Sequence, residues 1–133
     1  AYLPLNEMLL PSGDVTPVGG TRWDFRKLRK VGEAYDNCWQ LQGERGTLRQ
    51  GLVLRDPGSG RSMEVWAPGA AMQMYTASHW NEAMPGKQGP LRQHGAIAIE
   101  AQNFPDAINH ANFPSAVLRP GETYRHRMEW RFS

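Results

Sequence analysis

One stretch gathers side chains that could move a proton or hold a polar ligand: Ala96-Ile97-Ala98-Ile99-Glu100-Ala101-Gln102-Asn103-Phe104-Pro105-Asp106-Ala107-Ile108-Asn109. Read with a period of two, Ile97 and Ile99 share one face, while Ala96, Ala98, Glu100 and Gln102 share the other. The second face carries side chains too small to fill space, then a carboxylate and an amide, which predicts the floor of a cavity. A carboxylate withdrawn from water is costly unless paired or used. Glu100 is therefore expected to be ion-paired or to serve as an acid or base. Asp36 is the second carboxylate of interest, with Gln73 and aromatic side chains as candidate neighbours. Carboxylates, amides and flat apolar rings suit a sugar, whose hydroxyls need acceptors and whose C–H face needs an apolar surface. Asp36 reads equally well as a loop or turn residue.

Other chemistries lack their signatures. The chain has no Gly-x-Ser-x-Gly, no phosphate-binding glycine loop and no His-Glu-x-x-His. Its four histidines, His79, His94, His110 and His126, are scattered without ligand spacing, so no metal site is expected. Cys38 is expected to be a small buried hydrophobe rather than a nucleophile. His126 reads as a hydrogen-bonded core histidine. The densest basic run, Arg26-Lys27-Leu28-Arg29-Lys30, reads as solvated, with a phosphate contact as the sharper reading.

The elements that must position these residues are short. At 133 residues the chain suits a single domain. Ten prolines and fourteen glycines break it into strands and turns rather than helices. Tyr2 to Leu10 and Val15 to Val18 predict short extended pieces, and the stretch ending in Trp39 and Leu41 another. Leu48 to Arg55 and Arg61 to Trp66 predict a hairpin closed by Asp56-Pro57-Gly58-Ser59-Gly60. Ala71 to Thr76 predicts a strand with Met72 and Met74 facing away from Gln73 and Tyr75, and Ser78 to Gly95 a long loop. Phe104-Pro105-Asp106 ends the central strand. In the last strand Tyr124, His126, Met128, Trp130 and Phe132 are expected to face a core and the intervening charged residues solvent. A net charge of +2 with dispersed cations gives no argument for nucleic acid. No apolar run approaches membrane-spanning length. A single cysteine allows no internal disulfide and favours the cytoplasm.

Glu100-Ala101-Gln102-Asn103-Phe104-Pro105-Asp106-Ala107-Ile108-Asn109, followed by Phe113-Pro114-Ser115 and Leu118-Arg119-Pro120-Gly121-Glu122-Thr123-Tyr124, resembles the carboxyl-terminal signature of the aldose 1-epimerases, the galactose mutarotases. Leu10-Pro11-Ser12-Gly13, Val18 with Asp24-Phe25-Arg26, Tyr35-Asp36, the turn from Asp56 to Gly60 with Arg61, and Gln73-Met74-Tyr75-Thr76 occur in that family's order. The resemblance implies an all-β fold, an antiparallel β-sandwich of the galactose mutarotase type, of which residues 1–133 form the single domain or its carboxyl-terminal part. It implies interconversion of the α and β anomers of a hexose such as galactose or glucose, with no cofactor and no metal. Glu100 then falls on the catalytic base, and Asp36 and Gln73 on residues that bind the sugar. The family's catalytic histidine would lie upstream, and none of the four histidines here takes its place. Self-association, or pairing with a missing amino-terminal part, is expected of such a piece. Two alternatives remain open at this point: a sugar-binding module of the same fold without chemistry, and a hexose 6-phosphate epimerase using Arg26, Lys27, Arg29 or Lys30.

Overall fold

A computed structural model describes residues 1–133 and contains antiparallel strands with one short 3-10 turn, Ala107–Asn109. In chain order the strands are β1 (Tyr2–Leu3), β2 (Asp36–Gln40), β3 (Arg49–Arg55), β4 (Ser62–Ala67), β5 (Ala71–Tyr75), β6 (Pro85–Gly86), β7 (Gly89–Pro90), β8 (Ala98–Gln102) and β9 (Glu129–Phe132). They form a four-stranded sheet of order β1-β2-β5-β8, a three-stranded sheet of order β3-β4-β9 and the small β6-β7 ribbon.

The two larger sheets pack face to face because each has one apolar side. From β5 and β8, Met72, Ile99 and Ala101 meet Val65 and Ala67 of β4, with Leu41, Leu52 and Met63 around them. Val65 and Ala67 are fully buried, and burying apolar area is what holds the sheets together. β3 carries a bulge between Gln50 and Leu52, and Gly51 stands there. A Cβ at Gly51 would lie 2.7 Å from Met72 Cε and 3.1 Å from a Leu41 methyl, so the missing side chain lets β3 approach β5.

The predicted hairpin is present as β3 and β4, its turn closed by Asp56 accepting from the backbone of Gly58 and Ser59. Met72 and Met74 do face away from Gln73, as expected. Other expectations need correction. Only Tyr2–Leu3 of the first apolar stretch is a strand, and Met8, Leu9 and Leu10 are exposed. The long loop contains the β6-β7 ribbon. The last strand begins at Glu129, so Tyr124 to Met128 join no ladder. Its apolar side chains are not core: Tyr124, Met128, Trp130 and Phe132 are all exposed, Phe132 to 74%. Register explains this. Trp130 and Phe132 pair with Val65 and Met63, so they do lie on the inner side of the sheet. β9 is an edge strand, however, and its inner side is left without a covering partner. His126 Nε2 is buried without a hydrogen bond, contrary to the paired core histidine expected there.

The outer face of the four-stranded sheet is capped over its lower half. Phe104, Ala107 and Phe113 pack with Leu3, Cys38, Ala70 and Ala71, the two phenylalanines edge to face at 5.0 Å. The cap is pinned to the chain's first turn by Asn112 Nδ2, which donates to the Gly13 carbonyl at 2.8 Å. Gly13 has φ of +97° and no side chain, and a Cβ there would come 3.0 Å from His110 Nδ1.

Candidate active site

Three neighbouring strands deliver the site. β2 and β5 pair Asp36 with Tyr75 and Cys38 with Gln73; β5 and β8 pair Tyr75 with Ala98 and Gln73 with Glu100. Directly opposed residues in antiparallel strands point to the same side. Asp36, Tyr75 and Ala98 therefore form one row on the outer face, with Cys38, Gln73 and Glu100 in the next. A third row is Gln40, Ala71 and Gln102, of which Ala71 lies under the cap and Gln40 is exposed.

The first two rows contain the three residues singled out by sequence. Gln73 Nε2 donates to Asp36 Oδ1 at 2.8 Å, which fixes the amide's orientation and leaves its carbonyl oxygen free to accept. Asp36 is the first residue of β2 rather than a loop or turn residue. Its anchor is Tyr35, 1% exposed, whose backbone N–H donates to Thr76 Oγ1 at 2.9 Å and whose hydroxyl donates to the Arg22 carbonyl. The Arg22 guanidinium lies over the Tyr35 ring at 4.6 Å.

Glu100 differs from expectation. It is exposed and makes no ion pair, so the desolvated carboxylate inferred from its strand is not found. The reason is the extent of the cap, which covers Cys38 at one end of the row it shares with Gln73 and Glu100, and leaves Gln73 half-buried and Glu100, at the other end, open to solvent. The small Ala98 beside it is likewise exposed, so the predicted cavity floor is an open ledge.

Two further residues, Tyr75 and Cys38, complete this face. Tyr75 sits between Asp36 and Ala98, and the His79 ring stacks on it at 6.0 Å. Its distance of two residues from Gln73 was the available signal. Cys38 lies beside Gln73 and is 2% exposed, the small buried hydrophobe expected. Burial pushes its thiol up to about 12, and the nearby Glu100 carboxylate adds to this, while the Gln102 amide opposes it. The thiol is therefore no nucleophile near neutral pH.

The remaining candidates lie elsewhere. Arg26, Lys27, Arg29 and Lys30 line a groove with Trp39, Met72 and Met74, which alternate with Cys38 and Gln73. The basic run is thus on the reverse side of the sheet from Glu100. No group of three or more His, Cys, Asp or Glu side chains is placed to hold a metal ion. No helix is long and apolar enough to cross a membrane.

The aldose 1-epimerase family model matches residues 1–131. The chain belongs to that family. It is 36% identical to human galactose mutarotase over 141 residues, covering 99% of this chain and 41% of the relative. It is 26% identical to the aldose 1-epimerase of Escherichia coli, covering 98% of this chain and 42% of that protein. The fold matches a solved aldose epimerase homologue from C. elegans with a TM-score of 0.83 at 22% identity, over 99% of this chain and 42% of the other. The architecture is accordingly the antiparallel sandwich of the galactose mutarotase type, and this chain spans about two-fifths of the relatives it matches.

Proposed function

We propose that this chain contributes the base and part of the sugar-binding surface of an enzyme that interconverts the α and β anomers of a free hexose, galactose or glucose. The observation that carries the reading is the outer-face constellation: Glu100 directly across from Gln73, and Gln73 bonded at 2.8 Å to Asp36. An anomeric hydroxyl seated on the open row would lose its proton to Glu100, while an acid protonates the ring oxygen. The ring opens, the aldehyde turns about its C1–C2 bond, and closure on the other face returns the proton. Asp36 and Gln73 accept from and orient the sugar hydroxyls, and the Tyr75 ring offers a flat surface beside them. The family resemblance implies that the acid is a histidine upstream of the matched residues, so the acid is assigned to a further part of a longer polypeptide, and the 133 residues alone are expected to be weakly active or inactive.

A hexose 6-phosphate substrate has less support. The cations that would hold its phosphate lie on the far side of the sheet from Glu100. The test is polarimetry of freshly dissolved α-glucose and α-galactose with this chain, the gene's full-length product and its Glu100→Gln variant. Acceleration by the full-length product, lost in the variant, is the expected result. Sugar binding without acceleration would instead identify a binding module.

A further inference from the structure

Beyond Tyr75 the chain leaves β5 through a turn that an alanine does not readily make. Ala77 has φ of +50°, in the left-handed region, and is 1% exposed. The turn brings the chain back so that the His79 ring stacks on the Tyr75 ring, while the His79 N–H donates to the Tyr75 hydroxyl at 3.3 Å. A pair of flat rings thus stands at the Asp36 end of the outer face, since Tyr75 lies directly across from Asp36.

The far end of the same loop holds this turn. Past β6 and β7 the chain returns, and His94 reaches the two residues that follow Tyr75. Its Nδ1 lies 2.8 Å from the Thr76 carbonyl oxygen, and its backbone N–H donates to the Ala77 carbonyl at 3.1 Å. A carbonyl oxygen can only accept, so Nδ1 carries the proton. Gln93 Nε2 adds a bond to the Ser78 carbonyl at 2.8 Å. His94 itself has φ of +58°. Two non-glycine residues in the left-handed region thus meet at the neck of one loop, and such strain persists only where the surroundings over-determine it.

The same peptide steadies Asp36. Thr76 Oγ1 accepts from the Tyr35 N–H at 2.9 Å, and the Thr76 N–H donates to the Tyr35 carbonyl at 2.9 Å. The Thr76 carbonyl has His94 as its donor. A cavity of about 280 Å³, lined in part by Val31, Glu33, Thr76, His94 and Ile97, lies beside the neck, so hydrogen bonds rather than close packing hold it on that side.

We propose that His94 is a positioning residue for the sugar site: by clamping Thr76 and Ala77 it fixes the left-handed turn that lays His79 on Tyr75, and it keeps that pair of rings and Asp36 in place for the sugar. The inference rests on the reading above that Asp36, Gln73 and Tyr75 receive the sugar. Contacts between a flat ring and the sugar's C–H face exist before and during ring opening alike. Losing the clamp therefore weakens binding and spares the proton transfer at Glu100.

The test has two arms. In the gene's full-length product, His94→Ala should raise KM for the hexose at least about fivefold and leave kcat within about twofold, the pattern of lost uniform binding. His94→Asn should keep the parent KM, because an amide can donate to the Thr76 carbonyl and asparagine tolerates a positive φ. Adding Ala77→Gly to His94→Ala should recover thermal stability yet leave KM raised, since glycine accepts the turn without fixing it. A KM that returned together with stability would reduce His94 to a structural part and overturn the inference. In the 133-residue chain, nuclear Overhauser contacts between the Tyr75 and His79 rings should vanish in His94→Ala and persist in His94→Asn. An unchanged KM in His94→Ala, equal impairment of His94→Asn, or ring contacts that survive His94→Ala would each overturn it as well. A full-length product that does not accelerate mutarotation would instead refute the reading of the site, and the ring contacts would still decide the clamp.

Discussion

Replacing Cys38 by alanine should remove a specific weakness at alkaline pH. The folded thiol releases its proton near about 12, against 9.0 for the ordinary group, because it is buried beside Gln73 with the Glu100 carboxylate close by. Between those two values the unfolded chain holds fewer protons than the folded one, so stability falls as pH rises. The loss begins near 9 and reaches about 1.4 kcal/mol at pH 10, from one group shifted by this amount. Below pH 8 the thiol is neutral in both states and contributes no slope. Lysines and tyrosines titrate in the same window, so the informative quantity is the difference between the parent and Cys38→Ala. Urea unfolding of both at pH 8, 9 and 10 should show the gap in stability moving by about 1.4 kcal/mol in favour of the variant. Ultraviolet absorbance of the thiolate in the folded parent gives an independent check. A thiolate appearing with a midpoint near 9, or a gap that does not change with pH, would refute the reasoning and mean that Cys38 meets water.

Two further outcomes follow from particular contacts. Gly51→Val should lower stability by about 1 to 3 kcal/mol, because the new atoms enter the space of Met72 and Leu41, and thermal melting reads the loss. Asp24 is held down to about 2 chiefly by its hydrogen bonds to Arg26, so NMR titration should find its carboxylate ionised through pH 3, with Arg26→Ala returning it toward the ordinary range.

The site was legible where a period of two carries the information. Ile97, Ile99, Glu100 and Gln102 alternate strictly, and Met72 and Met74 alternate with Gln73 and Tyr75, so the face of each side chain could be assigned before any strand was paired. Pairing brought Gln73 opposite Glu100 and Asp36 within one hydrogen bond, although the three are spread over more than sixty positions. What alternation does not carry is how far a face is covered. The cap from Phe104 to Phe113 buries Cys38 and stops short of Glu100, and the cap is held by contacts between distant loops, such as the Asn112 bond to Gly13, that alternation does not encode. For the same reason Tyr124 to Met128 misled: their pattern suits a strand, but a strand also needs a neighbour with a free edge, and β9 pairs with β4 only from Glu129 onward.

The strict division of the central sheet has a consequence for folding accuracy. Displacing β5 by one residue against its neighbours would turn Gln73 and Tyr75 inward and push Met72 and Met74 into water; the same slip in β8 would carry Glu100 into the space between the sheets. An unpaired carboxylate there would be expensive, and two methionine side chains would forfeit their burial. The polar residues of the outer face thereby act as proofreaders of strand register: a misaligned chain is penalised by the same groups that the proposed function would use.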